Sequence, residues 1–289
     1  MDLIFECALF VLGLVFGSFL NVCISRIPRD ESIVHPGSRC PECGAAIRWR
    51  DNIPLLSWLL LRRRCRDCGK QISLSYPAVE LLTAVLFIAC YVRFGPSLVT
   101  VKFCIFCFLL VGLIFMDAET GLLPREFTYS GIVIGVALSW IAPPDSSGTL
   151  FLFRIFGAQL PSPTGLAILD AVLGALVGAG FFYLAWALYY LVRKRHGLGF
   201  GDIALMAMSG AFLGLKLTLF VIFAAPLAGA VYAVFLLVRR APLHGEQRPS
   251  TREVLLTREF PFGVFLGTCA LIAIFFGESA WRWYLTFFV

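Results

Sequence analysis

Charge is scarce in this chain: Asp, Glu, Lys and Arg make up 15% of its 289 residues against 59% hydrophobic, and mean hydropathy is +0.86. A soluble globular domain carries roughly 25% charged residues, so that class is excluded and a multi-pass membrane protein is expected. Histidine is scarcer still, with three in the chain and none beside another ligand type, so His196 reads as loop surface. Also missing are a GxSxG elbow, an HExxH helix and a phosphate-binding glycine loop, and no internal repeat or low-complexity tract stands out. The chain opens with Asp2 and Glu6 where a cleaved signal peptide carries basic residues, so its first apolar run reads as a retained helix.

What is present is a series of apolar runs: Leu3 to Ile24, Pro77 to Val92, Leu98 to Met116, Phe127 to Ile141, Leu166 to Val192, Ile203 to Leu219, Phe220 to Val238 and Phe262 to Gly277. The expected fold is an all-α polytopic integral membrane protein of about eight transmembrane helices, although several runs fall short of the roughly 20 residues a span needs. Of the Lys and Arg, nineteen fall in the loops on one side of this scheme, and the other five are Arg93, Lys102, Arg154, Lys216 and Arg282. The positive-inside rule then places both termini outside and the large loop in the cytoplasm. Anionic membrane lipid accounts for the net charge of +6, with no need for nucleic acid as a partner. Near the C-terminus, Trp281, Trp283 and Tyr284 suit an outer aromatic belt, and the short apolar stretch Leu150 to Phe156 suits the interface.

Three divisions follow: a first transmembrane helix over 1–25, a cytoplasmic domain over 26–76, and a multi-helix membrane domain over 77–289. The middle one has too few apolar positions for a core and needs a staple. Cys40-Pro41-Glu42-Cys43 and, twenty-one residues on, Cys65-Arg66-Asp67-Cys68 provide it. Paired CxxC knuckles set four thiolates around one tetrahedral Zn²⁺ with no open position, so the metal is expected to be structural. A reducing cytoplasm favours metal over disulfides. Trp49, Trp58 and Arg62-Arg63-Arg64 either rest on lipid headgroups or form ordinary small-domain packing and solvated charge. The other six cysteines, among them Cys104 and Cys107, read as packing residues.

Two aspartates stand out because a carboxylate beside hydrocarbon is costly. Asp117 closes the third apolar run, and Asp202 follows Gly199-Phe200-Gly201 behind the basic Arg193-Lys194-Arg195. The two glycines free the backbone and let helices come close. In the expected topology both aspartates lie at the cytoplasmic face, where a pair sharing one proton can activate water against a peptide carbonyl. The alternative is a zinc-knuckled scaffold or a transporter whose aspartates bind protons or cations. Glu80, at the same depth, either caps its helix or joins a site. Gly17, Ser18 and Asn21 suit tight packing and a cross-helix bond, with Arg26 snorkelling.

Taken in order, Gly17-Ser18-Phe19-Leu20-Asn21-Val22 with Arg26 and Pro28, the two knuckles, Asn52-Ile53-Pro54-Leu55-Leu56-Ser57-Trp58, Tyr76-Pro77-Ala78-Val79-Glu80, Asp117 with Leu123-Pro124, and Gly199-Phe200-Gly201-Asp202 resemble the bacterial type IV prepilin peptidases. The resemblance covers about residues 10 to 215. It implies an inner-membrane aspartic protease that removes the basic leader of type IV prepilins or type II secretion pseudopilins. It also implies N-methylation of the new terminus with S-adenosylmethionine, Asp117 and Asp202 being catalytic. The complete tetracysteine loop is similar to that of the bifunctional members; a peptidase without methyltransferase activity is the alternative. Glu119, Glu126 or Glu80 are candidates to receive the basic leader. The chain departs from the family at Ala204, commonly a lysine, and at Arg125, often an acid or amide.

Overall fold

The computed structural model describes residues 2–142, 146–157, 160–194, 199–239 and 261–287. His196, Arg195 and the basic residues between 240 and 258 lie outside them. Among the described residues the chain is helical, with two isolated β-bridges, and it forms two compact units, Met1–Met116 and Asp117–Val289.

The first unit contains α1 (Asp2–Arg26), the short α2 (Leu56–Leu60), α3 (Ser75–Phe94) and most of α4 (Leu98–Thr120). Gly13 and Gly17, four residues apart and hence on one face of α1, bring it directly against the α3 backbone. A Cβ on Gly17 would stand 2.6 Å from the Glu80 Cα. Close approach then lets polar groups pair across the helices. The Ser18 side chain bonds the Glu80 carboxylate, and Asn21 Nδ2 donates to the Tyr76 carbonyl at 3.0 Å. Glu80 lies in the second turn of a helix that begins at Ser75, so it caps nothing there. Its Oε2 accepts the Leu55 N–H at 2.8 Å, which ties the entry of α2 to α3. Arg26 does not snorkel: it donates to the Ser32 and Gly37 carbonyls at 2.9 and 3.1 Å and folds the following loop back on α1. Cys104 and Cys107 are buried as expected, and Cys90 joins them, its Sγ 3.8 Å from that of Cys107.

The second unit holds α5 (Arg125–Ile141), α6 (Ser147–Phe156), α7 (Pro163–Arg193), α8 (Phe200–Arg239) and α9 (Phe262–Leu285). The forty residues of α8 are not one rod, because Gly214 sits at φ 74° and ψ 177° in their midst. A Cβ on Gly178 of α7 would meet the Met206 carbonyl oxygen at 2.7 Å and Thr218 Cγ2 at 3.1 Å. In a continuous helix those two residues would be ~18 Å apart. The chain therefore reverses at Gly214, and α8 is a hairpin of two antiparallel arms, 200–213 and 215–239. Among the described residues six helices are long and apolar enough to cross a membrane, α8 counted once, so the expected eight are not confirmed. The differences lie at α5, which has only 17 residues, and at this hairpin, whose arms divide five residues earlier than the apolar runs do.

The hairpin tip is polar. Asp170 of α7, fully buried, accepts from Thr149 Oγ1 of α6 and from the Leu215 N–H that opens the second arm. Next to it Lys216 Nζ donates to Ser147 Oγ at 2.9 Å and to Glu278 of α9 at 2.8 Å. Lys216 and Lys102, two of the five cations outside the nineteen assigned to loops, are buried within helices.

Candidate active site and metal centre

Asp117 and Asp202 come together in the second unit although eighty-four residues separate them in sequence. Both are nearly buried, at 6% and 8% exposure, and the charge of Asp117 acts directly on Asp202. Asp117 lies in the last turn of α4, which Gly121 closes at φ 68° by donating its N–H to the Asp117 carbonyl at 2.9 Å. Its side chain is fixed from elsewhere. Asp117 Oδ2 accepts the Val264 N–H at 2.9 Å and also bonds the Gly263 N–H, two of the donors that the first turn of any helix leaves open. Asp202, in the first turn of α8, is held locally. Its Oδ2 accepts the Gly199 N–H at 3.3 Å, and its own N–H donates to the Gly199 carbonyl at 3.2 Å.

Leu123 wedges between the two carboxylate-bearing segments. A Cβ on Gly201 would come to 2.8 Å of Leu123 Cβ; one on Gly263 would come to 3.0 Å of Leu123 Cδ1 and 2.9 Å of Asp117 Oδ2. Gly201 is therefore small because Leu123 packs on it. Neither Gly199 nor Gly201 is among the described residues with positive φ, so backbone freedom, expected from the sequence, is not what they supply. The part of α9 was missed altogether. Its trace in the sequence is Pro261 ahead of an apolar run with Gly263 at the second position, a helix start that anchors a residue 147 positions away. Beside the pair a pocket of about 280 Å³ is lined by Leu123, Arg125, Thr128, Tyr129, Phe200, Gly201 and Ala204. Phe200 continues into an aromatic run on α7, with Trp186 at 5.0 Å and Tyr190 at 5.7 Å beyond it.

The four cysteines of the first unit also converge: the sulfurs of Cys40, Cys43, Cys65 and Cys68 all lie within 4.8 Å of one another, and Cys40 Sγ is 3.9 Å from Cys68 Sγ. A tetrahedron with metal–sulfur bonds of ~2.3 Å has edges of ~3.8 Å, so the set fits one zinc ion. The two knuckles are a repeat that the sequence reading passed over. Arg39-Cys40-Pro41-Glu42-Cys43-Gly44 and Arg64-Cys65-Arg66-Asp67-Cys68-Gly69 each end on a glycine at φ near 70° and each close an isolated bridge, Arg39 to Ala46 and Arg64 to Gln71. The first cysteine N–H of each donates to the carbonyl five residues on, Cys40 to Ala45 and Cys65 to Lys70. The Cys43 backbone N–H brings the Cys40 thiol down to about 7, while burial and the neighbouring thiols push Cys43 up to about 11, so one thiolate in the set holds protons on the others. Glu42 and Lys70 bridge the knuckles at 3.4 Å, and Arg66 clasps Asp51 through two bonds, holding that carboxyl below its ordinary range. Arg63 stacks over Trp58 at 5.4 Å, while Trp49 is exposed.

A buried aspartate pair at helix ends, in a chain of several long apolar helices that also carries a four-thiol centre, is an arrangement able to exchange protons. Two sequence profiles match the chain: the Bacterial Peptidase A24 N-terminal domain over residues 11–94 and the Type IV leader peptidase family over residues 104–234. Its relatives include proteins that carry the name Prepilin leader peptidase/N-methyltransferase. The one from Myxococcus xanthus (strain DK1622) is 44% identical over 81% of this chain and 64% of its own length. That from Aeromonas hydrophila is 34% identical over 97% and 93%, and that from Neisseria gonorrhoeae 33% over 96% and 93%. No solved structure matches. The chain belongs to the type IV leader peptidase family.

Proposed function

We propose that this protein is a membrane aspartic endopeptidase that cleaves the basic leader from type IV prepilins or type II secretion pseudopilins and N-methylates the new N-terminal residue. The observation that carries the peptidase reading is the meeting of Asp117 and Asp202, buried and electrostatically linked. Two such carboxylates share a proton, so the pair can take a proton from water as it attacks the scissile carbonyl and return one to the departing amine. Asp117, aimed by the N–H groups of Val264 and Gly263, is the better placed to stay ionised and act as base. Asp202, with its single long bond from Gly199, is the partner that carries the proton. Gly201 admits Leu123, which spaces the two.

The cysteine domain over 26–76 carries a structural Zn²⁺, and residues 77–289 carry the peptidase chemistry. S-adenosylmethionine supplies the methyl group as a co-substrate. We place the protein in the bacterial inner membrane with the aspartates and the zinc domain at the cytoplasmic side, where a basic leader stays and where nineteen of its loop cations belong by the positive-inside rule.

The test is an intact mass on a prepilin co-expressed with this protein and with its Asp117→Asn and Asp202→Asn variants. A shortened chain one methyl heavier than the bare product, lost in both variants, is expected. Shortening without the methyl group would leave a peptidase alone, and a precursor untouched by the unsubstituted protein would overturn the reading.

A further inference from the structure

The pocket beside the aspartate pair contains one cation that the chemistry above does not use. Arg125 lines it, and its guanidinium has no hydrogen bond or ion pair among the described residues. The charge does not serve its own helix either: Arg125 is the first residue of α5, and a first turn favours an anion. The rest of the wall is mostly apolar or aromatic, from Leu123, Tyr129, Phe200 and Ala204, with the hydroxyls of Thr128 and Tyr129 the other side-chain groups able to bond. Two wall residues tie the pocket to the pair. Gly201 immediately precedes Asp202, and Leu123 is the same side chain that packs toward Gly263 next to Asp117.

Resting on the peptidase reading, we infer that Arg125 is a specificity-determining residue: the pocket receives an acidic side chain of the polypeptide substrate on the mature side of the scissile bond, its carboxylate on the guanidinium and its stem against Tyr129 and Phe200. A planar guanidinium takes a carboxylate through two parallel bonds, which gives direction as well as attraction. The same charge repels a basic leader, so the pocket sorts the two sides of the bond. The leader is turned away, and the mature segment is drawn in.

The experiment uses the full chain in nanodiscs and a leader-bearing substrate whose mature side is neutral apart from one glutamate, moved one position at a time. The glutamate is expected to raise kcat/KM by about tenfold at one position, the gain of a charge-assisted hydrogen bond. Arg125→Gln removes that preference and leaves cleavage of the neutral substrate unchanged. Arg125→Glu inverts the preference, so that a lysine at the same substrate position is then favoured. A preference that survives Arg125→Gln, or no preferred position at all, overturns the subsite. So does an effect of Arg125→Gln on all substrates alike that disappears when anionic lipid is left out of the discs, since the guanidinium would then hold a headgroup. A chain that cleaves none of the substrates overturns the peptidase reading and the subsite with it, whereas cleavage indifferent to Arg125 overturns the subsite alone.

Discussion

Replacing Gly263 with alanine tests whether Asp117 owes its position to the start of α9. The new methyl group would arrive 2.9 Å from Asp117 Oδ2, 3.0 Å from Asp117 Cγ and 3.0 Å from Leu123 Cδ1. A comfortable carbon–oxygen contact is ~3.3 Å or more, so something must move by a few tenths of an ångström. Leu123 cannot easily yield, because its other side is packed where a Cβ on Gly201 would come to 2.8 Å. The carboxylate moves, and its bond from Val264, now 2.9 Å, stretches. Since a misplacement of 1 Å costs about a hundredfold in rate, kcat is expected to fall about tenfold with KM little changed, the pattern of an interaction made in the transition state. The fold does not suffer: alanine in place of glycine favours a helix by up to ~1 kcal/mol, so the melting temperature in detergent stays level or rises. Leu123→Ala added to Gly263→Ala vacates the space on the far side and is expected to restore part of kcat, although Leu123→Ala alone lowers it. Rates from a cleavage assay and melting curves on the same preparations decide the matter. A folded Gly263→Ala protein with kcat within about twofold of the parent would refute the argument, because a change below ~0.4 kcal/mol leaves no room for a displaced catalytic group.

Three further outcomes follow from the same contacts. Cys68→Ser is expected to drop bound zinc from one ion per chain to none, measured by elemental analysis of purified protein, and to expose 26–76 to protease, since a four-thiolate site of this kind supplies on the order of 10 kcal/mol to folding. Asp170→Ala strands the Leu215 N–H and the Thr149 hydroxyl at the hairpin tip; at about 1–3 kcal/mol for a buried group left without its partner, the melting temperature should fall by several degrees, and an unchanged value would mean the tip is held by Gly214 and packing alone. Gly17→Val drives α1 off α3 where a Cβ already comes to 2.6 Å of Glu80 Cα, so thermal stability should drop by about 1–3 kcal/mol and the Leu55 N–H, now bonded to Glu80, should exchange faster with deuterium.

How much of this could be read in the sequence depends on whether a feature is chemical or geometric. The four cysteines were legible because their spacing alone puts thiolates within reach of one metal, and Asp117 and Asp202 because an acid in an apolar chain needs a reason. Their placement at one face was expected from a count of eight spans that is not confirmed, so their meeting is a finding of the structure. What holds them was not legible. Val264 and Gly263 act through backbone N–H groups, which every residue has, so nothing in their side chains advertises the role. Asp170 lies within an apolar run and Glu278 just after one, and neither was singled out in the sequence, although each meets a buried partner. The hairpin at Gly214 escaped for a related reason: a turn in water is marked by a cluster of polar residues, whereas this one lies in an apolar stretch whose one charge is Lys216, and its signs are the small residues Gly210 and Gly214 facing Gly174.

That reversal explains why the acid pair can exist at all. The first arm of α8 has only fourteen residues between Phe200 and Gly214, about 21 Å of helix, less than the ~30 Å of a bilayer's hydrocarbon core. Asp202 at one end and the Asp170–Lys216 cluster at the other are therefore separated by less apolar distance than an ordinary span provides. A short arm between two polar ends lets water reach Asp202 without a polar channel through the bundle, and hydrolysis requires that water. Lengthening the arm by one turn ahead of Gly214 would draw one of the two polar ends into hydrocarbon, at a cost of several kcal/mol for the charged group displaced. A four-residue insertion after Ala211 should accordingly lose either folding or cleavage. If it kept both, the shortness of this arm would have no part in admitting water.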